Sequence, residues 1–262
     1  DSILQKTTWS NYEILILDNQ SSCAETLAYL QSVSADARVR VLRYDQPFNF
    51  SAINNFAVEQ AAGELVCLLN NDTQVISSDW LEEMASRLLQ PGVGAVGARL
   101  YFADGRVQHA GDVLGPGGCA NHLHGIIAAD DPGYMNRAVL PQELSAVTAA
   151  CLLTHRALYQ QLGGLDEHNL TVAFNDVDFC LRIREAGYRV VYTPYAELYH
   201  YESVSRGKDD NPVKQARSKL EVQYMRKRWA DVIERDPFYN PNLSYTKPDF
   251  SLGKYPRLDW PW

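Results

Sequence analysis

Through the first third of the chain, short continuous apolar runs alternate with segments of helical spacing, and no other feature of the sequence constrains the fold as much. Residues 13–18 form an apolar run that ends in a carboxylate, Asp18, and residues 23–32 carry Leu27 and Leu30 at helical spacing. Residues 39–43 read as a second strand, 51–62 as a helix closed by Gly63, and 65–69 as a third strand. Asp79 then opens a helix through Leu89 that Pro91-Gly92 stops. Strands with no polar alternation are buried on both faces, as in parallel sheets. The β-α-β-α order predicts an α/β fold with a doubly wound, mostly parallel sheet.

The second half changes character. Residues 96–118 carry strand and turn signals, 121–142 are loop-like, and 146–153 form an apolar strand candidate. Residues 175–186 read as an amphipathic helix stopped by Gly187, 189–192 as a last short strand, and 212–235 as a charged surface helix. The tail after Asp236, rich in Pro, Asn and aromatics, is expected to be irregular.

Composition narrows the function. The chain has 262 residues, 46% hydrophobic, with a formal net charge of -8. That balance excludes nucleic acid as the expected partner, because phosphate-backbone binding needs a basic face. It leaves room for a nucleotide, which needs only a local pocket. The five cysteines are odd in number and form no CxxC pair, so neither a zinc ribbon nor a disulfide framework is expected, and a reducing, cytoplasmic setting is. No apolar run approaches the roughly 20 residues of a membrane span.

In doubly wound sheets, ligands bind beyond the carboxyl ends of the strands. Two polar clusters stand there: Asp18-Asn19-Gln20-Ser21-Ser22 and Asn70-Asn71-Asp72-Thr73. Each is equally compatible with ordinary turn and capping chemistry. Their occurrence at two strand ends of one sheet favours a ligand.

Four segments, in order, carry a resemblance. They are Phe48-Asn49-Phe50-Ser51-Ala52-Ile53-Asn54-Asn55; Leu69-Asn70-Asn71-Asp72-Thr73; Gly164-Leu165-Asp166-Glu167 followed by Phe174-Asn175-Asp176-Val177-Asp178; and Tyr199-His200-Tyr201-Glu202-Ser203. Together they resemble the phosphate-side helix, the DxD-type metal motif, the acceptor-side segment and the late metal-ligand segment of family-two glycosyltransferases of the GT-A fold. His109-Ala110-Gly111 and Tyr239-Asn240-Pro241-Asn242-Leu243 resemble the rhamnosyltransferase-like branch.

The resemblance implies an inverting transferase that moves a sugar from a nucleoside-diphosphate sugar to a hydroxyl on a saccharide or lipid-linked glycan. It implies work at the inner face of a membrane and peripheral membrane association. Asp18, Asn54, Asn70, Asn71 and Asp72 would hold the nucleotide. Asp72 and His200 would hold Mn²⁺ or Mg²⁺, and Asp176 would take the acceptor proton. Asp178, two residues on, cannot share its helix face and would cap or position. A helix N-terminus is expected to lower the Asp176 pKa. Arg99 and Arg206 are candidate phosphate partners. Trp80, Tyr255, Trp260 and Trp262 could stack on sugars, although packing is the plainer role.

Two departures stand out: Asn70 replaces the first acid of the DxD, and Asn175 replaces the first acid of the acceptor pair. They keep open a non-catalytic sugar-binding or scaffold domain. A nucleotidyltransferase, the other alternative, would need a glycine-rich phosphate loop that the sequence does not show. Relatives of this kind begin with a strand before the helix that here starts near Asp1. The resemblance therefore implies a missing first strand, an open edge on the 13–18 strand, and impaired donor binding. A catalytic domain is expected over 1–235, with its nucleotide half over about 1–100 and its acceptor half over about 101–235, and a tail over 236–262.

Overall fold

A computed structural model describes residues 1–201 and 211–257. The first elements are α1 (Ser2–Lys6), β1 (Ile14–Asp18), α2 (Ala24–Val33), β2 (Val39–Arg43), α3 (Phe50–Gln60), β3 (Leu65–Leu69), β4 (Thr73–Val75) and α4 (Trp80–Leu88). They are followed by β5 (Val93–Tyr101), β6 (Val107–His109), β7 (Asp112–Leu114), β8 (Ala120–His122), β9 (Gln142–Glu143) and β10 (Cys151–His155). The chain ends with α5 (Arg156–Gln161), α6 (Asn175–Glu185), β11 (Arg189–His200), α7 (Pro212–Arg228) and α8 (Ala230–Glu234). Beyond α8 the described tail holds only an isolated bridge, Leu243 to Leu252.

The fold is α/β, but the mostly parallel sheet expected from the sequence is corrected to a mixed one. The main sheet has seven strands in the order β3-β10-β5-β11-β4, with β6 added on β5 and β9 on β11. Strand β10 runs antiparallel to both β3 and β5, and only β5 and β11 pair in parallel within this sheet. The physical reason for the miss is simple. A continuous apolar run reports burial on both faces and says nothing about strand direction. The parallel pair β1 and β2 forms a separate two-stranded sheet. Among the described residues β1 is bonded along one edge, to β2, and β3 along one edge, to β10.

Side chains alternate across the main sheet. Leu152 enters a core with Leu114, Phe179, Tyr192, Met225 and Trp229, whereas its neighbour Leu153 joins Trp80, Met84, Leu88, Val96 and Leu198 on the other face. Each fully buried leucine contributes on the order of 1.5–3 kcal/mol. Trp80 belongs to this packing and is 2% exposed, with its indole N–H bonded to Thr7 Oγ1 at 3.0 Å. It does not present a sugar-stacking face.

Strand β11 is twelve residues long where the sequence suggests four. Pro194 lies within a register shift between Tyr192 and Glu197. A proline cannot donate to a ladder, so it is tolerated in a strand at such an irregularity. Beyond the shift the strand resumes and pairs antiparallel with β4, setting His200 opposite Thr73. The Tyr201 N–H then bonds the Asp72 carbonyl at 2.9 Å. This register brings two segments about 130 residues apart to one point.

Candidate active site

Asn71 and Asp72 form the turn between β3 and β4. Asp72 is half-buried there, and its Oδ1 lies 3.2 Å from His200 Nε2. The Asn70 amide also reaches that nitrogen, at 3.1 Å. The tautomer of His200 follows from Gln108 on β6. The Gln108 Nε2 donates to the His200 carbonyl at 3.3 Å, which turns its Oε1 toward His200 Nδ1 at 2.7 Å. A carbonyl oxygen only accepts, so Nδ1 carries a proton, and in the neutral ring Nε2 keeps the lone pair. The Asn70 amide, a donor, is consistent with that lone pair. Asp72 Oδ1 is buried with no aligned donor. A lone pair and a carboxylate oxygen thus face each other at 3.2 Å, a pairing that a cation between them would relieve. Only when His200 also carries a proton on Nε2 does the contact become an ion pair, which holds the Asp72 carboxyl below its ordinary value against the effect of burial.

Asp176 sits in the first turn of α6, after Phe174 in the left-handed conformation at φ 60°. Its carboxylate accepts from Ala149 N–H at 2.9 Å, Thr148 Oγ1 at 3.1 Å and Val177 N–H at 2.9 Å. The two bonds to residues 148 and 149 come from the turn entering β10. The expected depression of its pKa is reversed: burial, and then the negative charge of Asp112, push it up, outweighing these donors. Asp178 is wholly buried and bonded to Arg182 Nε at 2.8 Å and Trp229 Nε1 at 2.9 Å, with Arg228 Nη1 at 3.3 Å. It holds α6 against α7 and has no free face for an acceptor. Asn175, also buried, caps locally onto the Val172 carbonyl at 3.0 Å.

The remaining sequence candidates are placed as follows. Asp18 ends β1, buried, accepting from Ser21 N–H at 3.0 Å and Arg43 Nη1 at 2.6 Å. Ser21 and Arg43 lower its pKa despite burial. Asn54 bonds its own helix, at the Phe50 carbonyl. Its neighbour Asn55 is the one that reaches across to residues 159–167, bonding Leu165, Glu167 and Tyr159. Asn71 is exposed. Arg99 is buried, with Nη2 on the Ala129 carbonyl at 2.9 Å and Nε without a partner. Tyr255 is 73% exposed. Glu202, Ser203, Arg206, Trp260 and Trp262 lie outside the described residues.

Sequence reasoning singled out neither Gln108 nor Thr148, whose roles depend on strand register rather than on any motif. A cleft of about 660 Å³ lies between Asn55, Asp166, Arg182 and Arg228. None of Asp72, Asp176 or His200 lines it. No helix among the described residues is long and apolar enough to cross a membrane.

Residues 1–163 match the family described as "Glycosyl transferase family 2". Over 254 residues the chain is 51% identical to the "Uncharacterized protein y4gI" of Sinorhizobium fredii, covering 97% of this chain and 28% of that one. It is 38% identical over 261 residues to the "O-antigen biosynthesis protein RfbC" of Myxococcus xanthus, 98% of this chain and 20% of the relative. A match of 30% over 141 residues, 51% of this chain and 45% of the other, joins it to an N-acetylglucosaminyl-diphospho-decaprenol L-rhamnosyltransferase of Mycobacterium tuberculosis. The chain therefore spans well under a third of the first two relatives. Among solved structures, GalNAc-T7 with UDP, GalNAc and Mn²⁺ superposes with TM-score 0.62 at 12% identity, over 92% of this chain and 55% of that one. The mannosyltransferase PcManGT from Pyrobaculum calidifontis with GDP-Man and Mn²⁺ gives 0.59 at 17%, over 87% and 58%. At these identities the two share the GT-A-like fold.

Proposed function

Because the chain belongs to glycosyltransferase family 2, we propose that it moves a sugar from a nucleoside-diphosphate sugar to an acceptor hydroxyl with inversion. Asp176 is the proton acceptor, and Asp72 and His200 are the cation ligands. The observation that carries the reading is the lone pair of His200 Nε2, fixed by Gln108, facing a buried Asp72 oxygen at 3.2 Å.

The ligand set fits a hard divalent ion. One carboxylate oxygen and one imidazole suit Mn²⁺ or Mg²⁺, with diphosphate oxygens and water as further ligands. When bound, the ion supplies charge stabilisation to the departing diphosphate. With Asn70 in place of an acid, Asp72 is the one carboxylate of the motif that can hold it. The chain's own residues do the rest. Asp176 has a pKa raised by burial, which makes it the stronger base for a hydroxyl proton. Three donors fix its orientation and leave one oxygen with an unused lone pair.

The polysaccharide setting and the acceptor class rest on the relatives. The RfbC relative is named for O-antigen biosynthesis, and the rhamnosyltransferase relative for an acceptor linked through diphosphate to decaprenol. A lipid-linked glycan acceptor, met from the cytoplasmic side of a membrane, follows as part of the proposal. A further strand beside β1 or β3 belongs to the proposal as well, since among the described residues each of the two is bonded along one edge.

The central test is calorimetry of a nucleoside diphosphate with and without Mn²⁺. Native protein should bind in a Mn²⁺-dependent way and Asp72→Ala should not. Unchanged binding by the variant would overturn the ligand assignment.

A further inference from the structure

A second cluster of potential ligands stands apart from Asp72 and His200. It is built by the turn from β6 into the β7–β8 hairpin. His109 ends β6 and Asp112 begins β7, with Gly111 between them at φ 92°. A side chain at residue 111 would collide with Leu144, so the reversal depends on glycine for both its angle and its space. Across the hairpin, Asp112 is directly paired with His122. The result is one ligand atom from each of His109, Asp112 and His122, all within 4.8 Å of one another.

The bonding around the cluster orients it. His109 is fully buried, and its Nδ1 donates to the Ala98 carbonyl at 3.0 Å. That leaves the lone pair on Nε2, 3.7 Å from Asp112 Oδ2. A ring N–H anchored on a backbone carbonyl is the arrangement that metal-binding histidines use; the other nitrogen here accepts from the Thr148 N–H at 3.2 Å beside that carboxylate. His122 Nδ1 lies 2.5 Å from Asp112 Oδ1. Ligand atoms around a tetrahedral ion at about 2.0–2.1 Å stand roughly 3.3 Å apart, and the two distances bracket that value. His122 is 45% exposed on its side-chain surface, so its ring can shift and the cluster has an entrance.

Charge supplies the driving force. Asp112 is 3% exposed, and no Arg or Lys pairs with it among the described residues. Its carboxylate oxygens face the two imidazoles instead. A divalent cation held among the three would place opposite charge against a buried carboxylate.

We propose that His109, Asp112 and His122 form a second divalent-cation site, for Zn²⁺ or an ion of similar ligand preference. Two imidazoles and one carboxylate with an open fourth position suit Zn²⁺, whereas Mg²⁺ prefers oxygen. The site would also act on Asp176. The Thr148 N–H, now on His109 Nε2 at 3.2 Å, must yield that lone pair to the ion, and the hydroxyl of the same residue bonds Asp176 Oδ2.

The test is independent of the transferase reading. Chelator-stripped protein is dialysed against Zn²⁺, then buffer, and its metal content measured. Native protein and Asp72→Ala should each retain one ion per chain, and His122→Ala and Asp112→Asn should retain none. Co²⁺ in place of Zn²⁺ should give the visible absorption of a four-coordinate site in the first two proteins and not in the others. If Asp112→Asn fails to fold, the exposed His122→Ala decides. Retention that does not fall in His122→Ala, retention lost in Asp72→Ala, or no retention by native protein would each overturn the proposal. Loss of Mn²⁺-dependent nucleotide binding with Zn²⁺ retention intact would bear on the proposed function alone.

Discussion

At the scale of single residues, the proposed cation ligands depend on the side chain behind them. Gln108 fixes which nitrogen of His200 carries the proton. Its replacement by leucine should leave Asp72 and His200 in place and still weaken Mn²⁺ binding about 10–100-fold, as loss of such a partner usually does. Titration with Mn²⁺ in the presence of a nucleoside diphosphate measures this, and unaltered affinity would show that the tautomer is set elsewhere. Asp176 makes a different prediction. Asp176→Asn should lower turnover by about 10²–10⁴-fold and leave the donor dissociation constant unchanged, because the proton acceptor acts in the transition state. The base must be ionised, so activity should fall as pH drops through its pKa. With that pKa pushed up by burial, the acid limb of kcat should lie above the ordinary aspartate value of about 3.9. A limb at or below that value would point to another base.

At the scale of elements, α6 joins the site to the rest of the protein through Asp178. Arg182 bonds Asp178 at 2.8 Å and also the carbonyls of Leu162 and Gly164, both at 2.7 Å. Removing one member of such a buried pair costs about 3–5 kcal/mol. Arg182→Met should show a loss of that order in urea unfolding; a loss below about 1 kcal/mol would mean that Trp229 and Arg228 suffice. Asp176 and Asp178 thus divide as their spacing on a helix requires, one toward the turn at 148–149 and the other into the core. That division was legible in the sequence, as were the positions of the early strands and helices, because period and capping are local properties. Strand direction was not legible, since an apolar run is symmetric end to end. Nor was the length of β11, because Pro194 reads as a stop until β4 and β5 are there to pair with the residues beyond it. Gln108 and Thr148 were missed for the same reason: their partners, His200 on β11 and Asp176 on α6, come from other elements of the fold. At Asn54 and Asn55 the motif does not tell the two asparagines apart structurally: Asn54 bonds within its own helix, and Asn55 is the one that packs across to Leu165.

At the scale of the whole molecule, a ligand that binds only the folded protein raises its melting temperature in proportion to occupancy. A panel of nucleoside diphosphates with Mn²⁺ should therefore single out one base, with about 2.7 kcal/mol of stabilisation at a hundredfold excess over the dissociation constant. Equal shifts for every base, or none, would argue against a nucleotide site. The stabilisation should not be evenly spread. Strands β5 and β10 are almost wholly buried, whereas α2 buries no residue and β1 only Asp18. The segment from β1 to β2 also hydrogen-bonds as a sheet of its own. Its backbone amides should accordingly exchange with deuterium through local opening, well before those of β5 and β10, which wait for global unfolding. Equal exchange in β1, β2, β5 and β10 would show instead that this segment opens only with the whole protein.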